Sequence, residues 1–224
     1  MKTIAEVVSE EITKMPFIEE AMADNLINLS SLARLIKPDI EKTLYKEVKE
    51  GAIVMALKRF TPMSPKIIKL KSENVGQYFG DIFVRSGLMT RSFENSQSLT
   101  ENQTRLLLKV EESIDAYCSF KQGMFERTLI LSVNLKDFAD AIFCNEKYIS
   151  GKDNLCSVTV KLKESNVEVY GLYYYIFKMI AWHGINVIEV VSTANEFTIV
   201  VDEKNINSAF SVLMKIKSDA LEKN

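Results

Sequence analysis

A shift of about seventy residues lays one stretch of this 224-residue chain on a later one without a gap, and that repeat constrains the fold more than any local propensity. "EESIDAYCSFKQGMFERTLILSVNLKDFADAIF" falls on "WHGINVIEVVSTANEFTIVVDEKNINSAFSVL" and its surroundings, so that Glu126 meets Glu196, Thr128 meets Thr198 and Ala139 meets Ala209. Identities are few; the pattern carries the match. In each copy a β-rich run turns, returns as a second strand ("RTLILSV", "EFTIVVD") and passes into an amphipathic helix. The same shift sets the helix-like "ENQTRLLLKVEE" over "GLYYYIFKMIAW" and the strand "DIFVRSGLMTRSFEN" over "DNLCSVTVKLKES". Each copy therefore reads strand, helix, strand, strand, helix.

That order restricts topology. A strand, a crossover helix and a parallel strand take a right-handed path, which puts both helices of a copy on one face of an antiparallel sheet. The expected fold class is α+β: a ferredoxin-like sandwich, twice. A complete unit adds a final strand, and "KSDALEKN" at the end of the chain lacks the alternation to supply it. Either the second copy is truncated, or its edge is filled by the first copy or by another subunit; because an unpaired edge invites association, the favoured arrangement has the two copies pairing into one larger sheet.

Ahead of the repeat, Pro62 and Pro65 in "RFTPMSPKI" bias their predecessors away from helix and place a boundary near Ser64. The expected domains are residues 1–64, 65–150 (the more divergent copy) and 151–224. Residues 1–64 read as a small bundle of short helices with breaks at Asn25 to Leu29, at Lys37 and at Lys49, and with Pro38 in the first turn of a new helix.

Charge points to no partner. Lys plus Arg total 28 against 30 acidic residues, with the signs interspersed, so no polybasic surface for DNA or anionic lipid is expected. The most apolar segment, Leu172 to Ala181, contains Lys178 and is too short to span a bilayer. Cys118, Cys144 and Cys156 lack metal or redox spacing, which predicts small core residues in a reducing cytoplasm, with no metal site and no cofactor.

The segment "SVTVKLKESNVEVYGLYYYIFKMIAWHGINVIEVVSTANEFTIVVDEKNINSAFSVL" resembles the ACT domains, the small ligand-sensing modules of amino-acid metabolism. Over roughly residues 66 to 216 the chain resembles the tandem ACT pair in the regulatory portion of aspartokinases. The resemblance implies an amino-acid effector at an interface between two ACT units, within a homodimer. Carried over position by position, it implies ligand contacts at Glu164, Ser165, Asn166, Val167, Glu168, Tyr170 and Gly171, and at Ile185, Asn186 and Val187. The chemistry suits that role: backbone N–H groups at a helix N-terminus favour a carboxylate, Gly171 allows close backbone approach, and Asn186 offers donors and an acceptor. Glu164 or Glu168 can pair with an ammonium. In the family Pro commonly precedes that glycine, where this chain has Tyr170, and in the first copy the glycine's place is taken by Glu101, which implies a degenerate site there. The chain has no glycine-rich phosphate loop and residues 1–64 are too few for a kinase domain, so a non-catalytic regulator is expected.

Tyr173, Tyr174 and Tyr175 point about 100° apart on a helix and cannot form one stacking platform for nucleic acid. Leu172, Ile176, Met179, Ile180 and His183 are expected on its sheet-facing side, with Tyr175 joining them, Tyr173 or Tyr174 at a subunit interface, and Gly184 as the C-terminal cap. Two other readings stand beside the sensor. The rhythm of "LINLSSLARLIKPDIEKTLYKEVKEGAIVMALKRF" suits a helix-turn-helix, hence a ligand-responsive DNA-binding regulator, although residues 1–60 carry nine basic against ten acidic side chains. A structural dimer with vestigial pockets is the third.

Overall fold

Thr3 and Glu6 start the first helix, α1 (Ile4–Thr13), with a reciprocal capping box: Thr3 Oγ1 accepts from Glu6 N–H at 3.2 Å, and Thr3 N–H donates to Glu6 Oε2 at 2.7 Å. The computed structural model describes residues 2–23, 25–60, 75–163, 169 and 171–221. Contacts group the chain into two compact units, Met1–Glu73 and Asn74–Asn224.

In the N-terminal unit α1 is followed by α2 (Pro16–Ala23), α3 (Leu29–Leu44) and α4 (Glu50–Arg59). Asn28 caps α3 by accepting from Ser31 N–H at 3.0 Å. The expected break at Lys37 does not occur: α3 runs through Pro38 without interruption. An interior proline costs about 3 kcal/mol because it removes one backbone hydrogen bond and crowds the preceding turn. The stripe Leu32, Ala33, Ile36 and Ile40 spans both sides of Pro38 and is buried along its length, so tertiary packing outweighs that local cost. Val7, Val8 and Ile12 of α1 and Ile53, Ala56 and Leu57 of α4 complete this core.

The second unit opens on a 3₁₀ turn, Val75–Tyr78, and contains both copies of the repeat. The first copy comprises β1 (Phe79–Glu94), α5 (Ser98–Glu111), β2 (Cys118–Gln122), β3 (Glu126–Ser132) and α6 (Lys136–Ile142). The second comprises β4 (Tyr148–Leu162), α7 (Leu172–Trp182), β5 (Val187–Ser192), β6 (Glu196–Asp202) and α8 (Ile206–Leu221). Each copy has the order that the sequence pattern implies, and β3 and β6 begin and end 70 residues apart.

The six strands form one sheet in the order β2-β3-β1-β4-β6-β5. β1 and β4 pair antiparallel at its centre, so each copy's first strand fills the outer position that the other copy lacks. Residue 150 therefore lies inside a strand common to both halves. The helix-side faces bury two apolar clusters. Met89, Phe93, Leu129 and Leu131 pack with α5 and α6, and Val158, Val160, Phe197, Ile199 and Val201 pack with α7 and α8.

The opposite face is the inside of a curl. Leu88, Ile130, Leu155 and Val200, from the four central strands, cluster there. Lys121 on β2 forms an ion pair with Glu189 on β5, although these are the outermost strands of the sheet. The two threonines aligned by the repeat hold equivalent inner positions: Thr128 shares a hydroxyl hydrogen bond with Ser92, and Thr198 shares one with Thr159, both at 2.8 Å.

Candidate functional site

Of the ligand contacts that the resemblance implies, Glu164, Ser165, Asn166, Val167, Glu168 and Tyr170 lie outside the described residues. Gly171, Ile185, Asn186 and Val187 lie within them. Gly171 occupies the left-handed region (φ 82°, ψ 5°) at the N-cap of α7, a conformation that glycine adopts without the steric cost other residues meet. Its carbonyl accepts from Tyr175 N–H at 3.0 Å, which starts the helix. The far end closes with a Schellman pair, Gly184 N–H to Ala181 O at 2.9 Å and Ile185 N–H to Ile180 O at 3.2 Å, with Gly184 at φ 66°.

These residues do not converge within one copy. The eleven residues of α7 separate Gly171 from Ile185 to Val187 by about 16 Å at 1.5 Å per residue. Ile185 is buried in the apolar cluster and its N–H is already used, whereas Asn186 is exposed and Val187 half-buried.

Leu172, Ile176 and Ile180 are buried and Met179 and Tyr175 pack beside them, as the helical spacing implies. Tyr173 lies against Phe197 with ring centroids 5.2 Å apart, and its hydroxyl bonds to Ser192 Oγ at 2.7 Å. Tyr174 stacks with the Lys178 ammonium. His183 is not on the sheet-facing side. It is exposed at the C-cap with Nδ1 2.7 Å from Met179 O, because the helix has already turned into its cap at that point. The cysteines also divide: Cys156 is buried, Cys118 is half-buried with its thiol pushed up to about 12 by burial, and Cys144 is exposed, contrary to the expectation of three core residues.

Cys144 borders a feature absent from the expected site. A cleft of about 460 Å³ lies on the helix side of the first copy, between β1, the N-terminal half of β4, and α6 with the turn that follows it. At its base the Arg91 side chain, 14% exposed, reaches Asp153 Oδ1 at 2.7 Å and donates to Thr90 O at 2.8 Å. Lys136 donates to the other Asp153 oxygen at 3.2 Å, and Asp140 lies 3.9 Å from Arg91 Nε. The Arg91 guanidinium holds the Asp153 carboxyl below the usual carboxylate range, and Lys136 adds to this against the opposing effect of burial.

Phe93 and Phe143 stack at 5.1 Å and Tyr148 meets Phe93 edge-on at 6.1 Å, forming an aromatic wall. Glu146 pins the rim by accepting from Ser96 Oγ at 2.6 Å and Asn102 Nδ2 at 2.9 Å. Burial pushes its carboxyl up, but those bonds, with Ser98 and Arg127, outweigh burial and leave it below its ordinary value. A signal for this cleft was present in the sequence: Arg91 is a charged residue on the strand face that also carries Met89 and Phe93.

Among the described residues no group of three or more His, Cys, Asp or Glu is placed to hold a metal ion, and no helix is long and apolar enough to cross a membrane.

No family model matches the chain, and no curated protein matches it in sequence. Solved structures do match in fold. The chain is similar to a chain of the aspartokinase alpha and beta subunits (TM-score 0.52, 15% identity, 62% of this chain and 99% of that one). It is similar to aspartate kinase from Clostridium acetobutylicum, an allosteric enzyme (TM-score 0.50, 15% identity, 62% of this chain and 34% of that one). It is also similar to aspartate kinase from Synechocystis (TM-score 0.51, 11% identity, 63% of this chain and 27% of that one). The chain thus spans about a third or less of the two aspartate kinases and nearly all of the separate subunit. The second unit has the fold that the resemblance to aspartokinase ACT pairs implies.

Proposed function

We propose that this chain is a non-catalytic regulatory protein that binds a free amino acid through its paired ACT module and works as a homodimer in the cytoplasm. The observation that supports this most is the mutual completion of the two copies, in which β1 and β4 join two ferredoxin-like halves into one sheet. That is the fold of a chain of the aspartokinase subunits, and one of the similar enzymes is allosteric.

The site belongs to the second copy. Gly171, in its left-handed conformation, opens α7, whose first N–H groups favour a carboxylate. Asn186 is exposed beyond the other end of that helix. Gly171 and Asn186 stand at opposite ends of α7, and in the homodimer that the resemblance implies a second copy of the chain would supply the other half of the site. Glu164 or Glu168 would receive the ammonium group. The effector signals to the N-terminal helices to the extent that it binds two arrangements of the protein unequally.

Thermal-shift scanning of the full chain with each protein amino acid at millimolar concentration tests this reading. One amino acid, or a chemically related few, raises the midpoint, and Asn186→Ala weakens the response. No shift with any of them sinks the sensor. Binding of genomic DNA fragments at low salt, lost as salt rises, would instead favour the ligand-responsive DNA-binding regulator.

A further inference from the structure

The central strand pair relates the two copies residue by residue, and that relation exposes an exchange of chemistry. Across β1 and β4, Phe79 faces Leu162, Ile82 faces Val160, Arg91 faces Gly151 and Phe93 faces Tyr148. A step of 69 residues carries Phe79 to Tyr148, Ile82 to Gly151, Arg91 to Val160 and Phe93 to Leu162, so the pairs interchange. In the second copy's half all four positions are apolar and packed in the core, beneath Val75, Leu213 and Ile216. In the first copy's half the same positions are Arg91, Gly151, Phe93 and Tyr148, and they line the open cleft.

The cleft exists because α6 is short. α6 and α8 start 70 residues apart, but α6 ends at Ile142, the counterpart of Val212, whereas α8 continues to Leu221. The helix from Leu213 onward covers the second half, whereas in the first copy Phe143, the counterpart of Leu213, is the last residue to pack inward before the chain turns into β4. The uncovered floor is not an apolar face awaiting a helix. Gly151 lacks a side chain where one would meet Thr90 O at 2.6 Å and the Tyr148 hydroxyl at 2.8 Å, which keeps room for Arg91. Lys136 and Asp140, one helical turn apart, present both signs of charge with 40% and 51% of their side chains exposed. A volume near 460 Å³ suits a small molecule.

We infer that this cleft is a second small-ligand site, distinct from the ends of α7, and that it takes a free amino acid. The carboxylate lies toward Lys136 and the exposed edge of Arg91, the ammonium toward Asp140, and the side chain against the aromatic wall of Phe93, Phe143 and Tyr148. Both signs of charge on one rim select a zwitterion over a simple anion, and the wall rewards an apolar side chain. The choice of ligand class rests on the amino-acid-sensing reading above; the location does not.

Cys144 lines the cleft and is exposed, which makes its alkylation a local reporter. The full-length protein is treated with N-ethylmaleimide near neutral pH, with and without each protein amino acid, and modified peptides are identified by mass spectrometry. A Cys144→Ser variant identifies the reporting thiol. The expected result is that one amino acid, or a related few, slows Cys144 alkylation severalfold. Lys136→Met, at a half-buried position, and Asp140→Asn, at an exposed one, raise the concentration needed for protection about tenfold or more, and Asn186→Ala leaves it unchanged. If an amino acid stabilises the protein thermally while Cys144 reacts at its free rate, or if Lys136→Met and Asp140→Asn are protected at the same concentration as the wild-type protein, the inference is wrong and the sensor reading survives. If no amino acid changes either the melting midpoint or the alkylation rate, both fall.

Discussion

The two copies of the repeat share strand order, helix order and a residue-by-residue relation across β1 and β4, yet they spend their helix-side faces differently. The second copy extends α8 over Val160, Leu162 and Phe79 and turns that face into core. The first copy stops α6 after Ile142, turns through Phe143 into β4, and keeps Arg91, Asp153 and Lys136 in an open cleft. One duplicated scaffold thus holds a stabilising half and a half with exposed chemistry. The difference arises from the length of one helix.

The two halves should differ most at Gly76, where an added Cβ would sit 2.0 Å from Ile216 O and 2.8 Å from the Ala220 Cβ. Gly76→Ala is expected to cost about 3 kcal/mol or more by overpacking, read as a lower urea midpoint. Its counterpart 69 residues on, Asn145, is exposed, and Asn145→Ala should stay within about 0.5 kcal/mol. Equal effects at the two positions would mean that the halves are packed alike.

Next comes the helix itself. Ile216→Ala, deep in the second cluster, is expected to lose about 2–4 kcal/mol, whereas Ile142→Ala at the end of α6 should lose near 2 or less, because its surroundings border the cleft. The curl that gives the sheet an inside is tested by a double-mutant cycle on Lys121→Ala and Glu189→Ala. The coupling should be about 0.5–1 kcal/mol, since the pair is only partly buried, and zero coupling would show that the seam between β2 and β5 closes without it.

The smallest expected effect is electrostatic. Asp153 has a folded pKa below its ordinary value of 3.8, with Arg91 the main cause. The folded state therefore binds that proton less readily than the unfolded chain. Its contribution is present above about pH 4 and is lost as pH falls through the folded value. With 41% of the side chain exposed, the contribution is about 0.5 kcal/mol after screening. Asp153→Asn should flatten the acid limb of the stability profile by that amount; an unchanged limb would remove Asp153 from the charge network.

Much of the architecture was legible in residue patterns. The aligned Thr128 and Thr198 hold equivalent positions on β3 and β6, and Gly171 and Gly184 bound α7 with the positive φ that only the glycine pattern announced. Local rules misled where packing outweighed them. Pro38 reads as a helix start, yet α3 continues through it because Ile36 and Ile40 bury on either side. His183 shares the spacing of the core-facing residues, yet the cap turns it to solvent.

The duplicated order of strands and helices follows from residue patterns alone, because periodicity and turn residues act over a few neighbours and recur seventy residues later. The meeting of Arg91 with Asp153 and Lys136 in a cleft comes from long-range packing. That cleft depends on β1 and β4 pairing across the two copies and on a helix ending early, and pairing between residues so far apart in the chain leaves no local pattern to read.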